Sequence, residues 1–148
     1  MRTHENTTAR AKSAVCGTSW PEAVPGALRL TILGHLPSMK NRREMAKNHR
    51  TGKLFPRKND EALKYVADFC LQVPPECRNL ALGSPRTPLR AIVSVFYRSA
   101  RSDLDTALVY DCLQLAGVIA NDVHIHEHHE YKHVDADNPR VEITLEEL

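Results

Sequence analysis

The sequence predicts a mixed α/β (α+β) domain, a small mixed β-sheet carrying two main helices in the order β-α-β-α-β-β. Three observations predict it. Two segments, 59–73 and 103–117, repeat apolar residues at helical spacing. Four others, at 28–33, 89–97, 123–132 and 140–145, alternate polar with apolar residues or are rich in β-branched ones. Strands interleaved with helices indicate a sheet with helices packed on it.

Residues 1–27 are polar, rich in small residues and punctuated by Pro21, Pro25 and Gly26, which predicts a mobile tail ahead of a single domain at 28–148. Leu28-Arg29-Leu30-Thr31-Ile32-Leu33 alternates as a first strand, ended by Gly34 and Pro37. Residues 38–57 show no sustained period and read as a long basic loop with a turn at Thr51-Gly52. Asn59 or Asp60 can cap the first helix, whose expected apolar face is Leu63, Val66, Phe69, Cys70 and Val73. Pro74-Pro75 stops it, and 74–88, with four prolines, reads as a surface connection. Leu89–Tyr97 is the most strand-like run. Asp103 can cap the second helix, with Leu104, Leu108, Cys112 and Leu115 on one face and Gly117 as its stop. Val123–Lys132 and Arg140–Leu145 then alternate as strands.

Composition narrows the class. Apolar residues make up 42% and charged residues 26%, which excludes collagen, coiled coil and wholesale disorder. The apolar runs are far too short for a membrane span. Residues 1–27 hold Arg2, Arg10 and Lys12 but no apolar core, so they do not read as a secretory signal. Cys16, Cys70, Cys77 and Cys112 contain no C-x-x-C pair and read as buried free thiols in a reducing compartment, so the expected location is intracellular, in the cytoplasm.

Net charge is only +2, but it is unevenly placed. From Ser38 to Lys58, Lys40, Arg42, Arg43, Lys47, Arg50, Lys53, Arg57 and Lys58 face Glu44 alone, while Arg101–Leu148 holds eleven acidic and three basic residues. One region is suited to phosphates and the other to cations.

The sharpest local pattern is Arg98-Ser-Ala-Arg101-Ser-Asp103-Leu104-Asp105. Carboxylates two apart share a side if the segment is extended. They repel unless a cation holds them, and hard cations take one or two carboxylates plus waters and phosphate oxygens. Asp122, at the turn after the second helix, is a candidate third carboxylate, although the sequence leaves open which end of the sheet it reaches. Asp111, mid-helix, reads as solvated. His124, His126 and His128, two apart, offer a different site for a softer metal such as zinc or nickel, against a plain reading as the polar face of a strand.

These elements resemble the RusA family of Holliday junction resolvases. The resemblance rests on S-D-L-D at 102–105, on D-C-L-Q-L-A-G-V-I-A-N-D at 111–122, and on a following strand that reaches Lys132. Leu36-Pro37-Ser38-Met39-Lys40-Asn41 is similar to the family's P-P-S-x-N opening. The resemblance covers about residues 28–146 and is specific only over 103–122. It implies a small dimeric α/β endonuclease that uses Mg²⁺ or Mn²⁺ to cut four-way DNA junctions. By this likeness Asp103, Asp105 and Asp122 would bind metal, Lys132 would join them in catalysis, and Arg98 and Arg101 would contact DNA together with the basic loop. The chain departs from the family at Thr106, where Asn is usual, at Ala107-Leu108-Val109, which lacks the usual helix lysine, and at Asn121, where the family has a second Asp. Those departures favour an alternative, a junction-binding protein on the same fold that has lost catalysis. A metal-binding protein built on the histidine strand is a third expectation.

Overall fold

The computed structural model describes residues 26–39 and 43–148, with backbone alone for Arg43, Glu44, Arg57 and Lys58. The tail expected at 1–27 therefore lies outside the described residues except for Gly26 and Ala27, and so do Cys16, Lys40 and Arg42. The elements are β1 (Leu28–Leu33), β2 (Arg43–Lys47), β3 (Leu54–Lys58), α1 (Asp60–Gln72), β4 (Leu89–Tyr97), α2 (Ala107–Leu115), β5 (Ile125–Val134) and β6 (Arg140–Glu147), with short 3₁₀ turns at Pro75–Cys77 and Asp122–His124.

Four strands form a mixed sheet in the order β1-β6-β4-β5. β6 is antiparallel to both neighbours, and β4 runs parallel to β5 across α2. The fold class is as expected, but the order gains two strands. The basic segment expected as a loop is an antiparallel hairpin, β2 paired with β3 from Arg43↔Lys58 to Lys47↔Leu54. Asn48 makes its turn, its Oδ1 accepting from the Arg50 and Thr51 N–H groups and its carbonyl from Gly52.

Alternation along the strands sends one set of residues into the core: Leu30 and Ile32, Val141, Ile143 and Leu145, then Ala91, Val93, Val95 and Tyr97. Both helices cover that face. α1 buries Ala62, Tyr65 and Phe69, and α2 buries Leu108, Val109, Tyr110, Cys112 and Leu113. Two expected helix faces are corrected here. Leu63 is exposed because the α1 seam runs along Tyr65 and Phe69, and Leu115 is exposed because Val109 and Leu113 point inward instead. Among the described cysteines, Cys77 and Cys112 are buried, Cys70 is half-buried, and none forms a disulfide.

The helix ends explain the boundaries. Asn59 caps α1, its Oδ1 accepting the Ala62 N–H at 2.9 Å. After Pro74, Arg78 turns back to donate to the carbonyls of Val73, Cys70 and Leu71, the orphan acceptors of that helix end. Gly117 stops α2 at φ 74°, with the backbone of Asn79 so close that a Cβ would sit 2.9 Å from the Asn79 nitrogen. This approach lets Ala81 and Leu82 donate to the carbonyls of Gly117 and Val118, so the expected surface connection is partly paired. Among the described residues no helix is long and apolar enough to cross a membrane.

Candidate active site

β4 ends at Tyr97, and the chain then makes a turn that carries Arg98, Arg101, Asp103 and Asp105 into α2. In open α/β sheets the carboxyl ends of strands are where ligands gather. A cleft of about 300 Å³ lies there, lined by His35, Leu36, Ser38, Tyr97, Arg101, Ser102 and Asp103.

Asp105 organises this end of the sheet. Its side chain is 8% exposed. Oδ2 accepts the Met39 N–H at 2.8 Å and the Ser38 hydroxyl at 3.3 Å, and Oδ1 accepts the Ala107 N–H at 3.3 Å. Its own N–H donates to the Tyr97 hydroxyl oxygen at 3.2 Å. The P-S-M segment after β1 and the D-x-D turn, far apart in sequence, therefore meet at one carboxylate. Asp103 is exposed on the cleft wall. It does not cap α2, as the sequence suggested. The helix starts at Ala107 with Thr106 at the cap position, and Asp105 takes over the first free N–H.

Thr106 makes no capping bond because its hydroxyl donates to Glu130 Oε1 at 2.6 Å. The Tyr110 hydroxyl reaches the same oxygen at 3.1 Å. Glu130 thus pins the start of α2 to β5, a role that sequence reasoning missed because it looks like one more polar residue in an alternating strand. Burial pushes the Tyr110 hydroxyl well above the ordinary tyrosine range, helped by the Glu130 charge. Burial also raises Tyr97, and the carboxylates of Asp105, Asp103 and Glu130 push the same way against the Asp105 N–H bond.

Lys132 reaches the same turn. Its Nζ donates to the Ala100 carbonyl at 2.8 Å, three residues before Asp103. Arg98 and Arg101 are exposed on that turn. Asp122 is elsewhere. It opens the 3₁₀ turn before β5, and its N–H donates to Gln114 Oε1 near the far end of α2. Ile125 sits opposite Leu89, the start of β4, whereas Asp103 and Asp105 follow that strand's end. A nine-residue helix at 1.5 Å per residue puts roughly 13 Å of α2 between Asp122 and Asp105. The three aspartates do not converge within one chain.

The histidine strand also departs from expectation. His124 lies in the 3₁₀ turn, and the register passes from Leu89↔Ile125 to Arg90↔Glu127, leaving His126 without a partner. That irregularity breaks the shared face expected for His124, His126 and His128. His128 meets the Tyr110 ring edge-on at 4.9 Å, and His129, on the opposite face, lies 3.6 Å from Glu127. Among the described residues no three His, Cys, Asp or Glu side chains group to hold a metal ion. The pair Asp103 and Asp105 still suits a hard cation that takes one or two carboxylates, with water and phosphate oxygens completing its shell.

Within the basic segment, Lys47, Arg50 and Lys53 are exposed on the hairpin. Lys40 and Arg42 lie outside the described residues, as do the side chains of Arg43, Arg57 and Lys58.

No protein-family model matches the chain, and no curated protein matches it.

Proposed function

We propose that this protein is a divalent-metal-dependent endonuclease acting on branched DNA, with the RusA-like four-way junction as substrate. One observation carries the reading: Ser38 and Met39 donate to Asp105 beside Asp103, so two separated motifs form one site at the carboxyl end of β4. Asp103 and Asp105 would hold Mg²⁺ or Mn²⁺, which supplies an activated water and offsets charge on the cleaved phosphate. The chain's own residues do the rest. Tyr97 and Met39 hold Asp105 in place, Lys132 ties its ammonium to the turn through the Ala100 carbonyl, and Lys47, Arg50 and Lys53 offer phosphate contacts on the hairpin. A homodimer suits paired cuts on a symmetric junction, since each chain carries one acidic pair. Free Cys70, Cys77 and Cys112 suit a reducing cytoplasm.

The placement of Asp122 favours a second reading, junction binding without cleavage. One experiment separates the two. Purified protein is incubated with a four-way junction and a matched linear duplex in Mg²⁺, Mn²⁺ or EDTA. Symmetric, metal-dependent nicks confined to the junction support the nuclease. Junction-selective binding without nicks in either metal supports the binding protein.

A further inference from the structure

The hairpin β2–β3 forms a two-stranded sheet of its own, and none of its described side chains belongs to the hydrophobic core. Yet it displays large apolar side chains. Met45 is 60% exposed, Leu54 64% and Phe55 44%. An isolated two-stranded hairpin is marginal in water, and displaying apolar groups on it has a cost without an evident return inside the chain. The register puts Met45, Leu54 and Pro56 on one face with Lys47, and Phe55 with Ala46 on the other. Apolar surface is therefore available on both faces, interleaved with cations. From Arg43 to Lys58 the sequence has six Lys or Arg against Glu44 alone.

We propose that this hairpin is a DNA-engaging arm: Phe55, Leu54 and Met45 enter the opened centre of a branched DNA, and the hairpin cations hold the phosphates around it. The inference rests on the branched-DNA reading above and adds a base-contacting element to it. A two-stranded ribbon is narrow enough to enter a groove, and inserted Phe, Leu or Met side chains unstack base steps. Unstacking costs least where continuous stacking between helices is already interrupted, which is the crossover of an open four-way junction.

Two features favour nucleic acid over a second copy of the chain. Four carboxylates of the main sheet are already paired within it: Glu127 and Glu146 with Arg90, Asp135 and Glu142 with Arg140. The hairpin is also tied to the acidic site. Met39 bonds Asp105, and the four residues to Arg43 span at most about 14 Å, so the arm starts within that distance of Met39.

The test uses the full chain in EDTA, so that no cleavage intervenes. A four-way junction and a linear duplex each carry 2-aminopurine, at the crossover and at the matching position. Fluorescence reports unstacking and anisotropy reports affinity. Wild type should brighten the junction probe and leave the duplex probe unchanged. Phe55→Ala should abolish most of that brightening and lower junction affinity by about tenfold, the scale of one lost base–aromatic stack, with duplex affinity unchanged. Phe55→Trp should restore both. Replacing Lys47, Arg50 and Lys53 by Gln should weaken binding to both DNAs and flatten the salt dependence by roughly 0.9 per lost duplex contact, while saturating brightening persists. The arm is overturned if wild type saturates the junction without brightening it, or if Phe55→Ala brightens it equally. It is also overturned if Phe55→Ala turns a dimer into a monomer, or if wild type binds phosphatidylserine vesicles through Phe55 and no DNA. A protein that unstacks junctions in EDTA but never cuts them with Mg²⁺ removes the nuclease and leaves the arm. One that cuts without unstacking removes the arm alone.

Discussion

The Met39 backbone N–H lies 2.8 Å from Oδ2 of Asp105, joining the segment after β1 to the turn after β4. A carboxylate that accepts two protein N–H groups and a hydroxyl is a structural group as well as a candidate ligand. Asp105→Asn keeps only one accepting oxygen, so either Met39 or Ala107 loses its partner. We expect a loss of about 1–3 kcal/mol in urea unfolding, from an unpaired buried donor. We also expect cleavage to fall by at least ~100-fold, the scale of losing a strong electrostatic contact to the transition state. Ser38→Ala separates the two effects, because it loosens the clasp without removing charge. Near-normal Mg²⁺-dependent cleavage by Asp105→Asn would remove the site assignment.

Lys132 is held by the Ala100 carbonyl, so its ammonium is fixed beside the acidic turn. A cation that acts on charge developing at the phosphate affects rate more than binding. Lys132→Ala should therefore cut the cleavage rate far more than junction affinity. Equal losses in both would instead mark a phosphate-positioning contact.

Thr106 and Tyr110 share a single oxygen of Glu130. Thr106→Val and Tyr110→Phe should each cost about 1.5–3 kcal/mol, the usual scale for a hydrogen bond to a charged group. Because they share an acceptor, their effects should not add. Urea unfolding of both single variants and the double variant measures the coupling, and strict additivity would show that the two bonds are independent.

Tyr65, Tyr97 and Tyr110 all have hydroxyls raised by burial. A neutral group whose folded pKa exceeds its unfolded value near 10 stabilises the fold fully below pH 10 and loses that contribution as pH rises through the folded value. These three tyrosines should thus ionise together with alkaline unfolding. Absorbance at 295 nm, followed beside far-ultraviolet circular dichroism, checks this. Ionisation of all three with the fold intact would contradict the burial argument.

Much of the architecture is legible from periodicity. β1 and β6 alternate cleanly because one face of each is buried and the other is not, and Asn59 and Gly117 mark helix ends through their own chemistry. The hairpin was hidden because cations interrupt its apolar residues, and the local signal was Asn48 followed by Gly52 at the turn. The late start of α2 was hidden for a different reason. Leu104 fits the helical period, but a hydrogen bond from the Met39 N–H to the Asp105 carboxylate and another from the Asp105 N–H to the Tyr97 hydroxyl oxygen reserve Asp105 for the turn. Local sequence contains neither partner. Asp122 could not be placed because a helix followed by a strand does not say at which end of the sheet the connection lies. Glu130 went unnoticed because Thr106 and Tyr110, the residues that give it a role, lie 24 and 20 positions away.

The sheet places β6, the last strand of the chain, between β1 and β4. Leu28 pairs with Leu145, and Ala91 pairs with the same residue from the other side. During synthesis β1 leaves the ribosome well before β6 and waits for a partner about a hundred residues downstream. Until Arg140–Glu147 emerges, Leu30, Ile32, Val93 and Val95 face water or a chaperone, and two strand edges stay open. The domain should therefore close only after Arg140–Glu147 has emerged from the ribosome. Nascent chains stalled before Arg140 should stay protease-sensitive, and emergence of β6 should bring protection in one step.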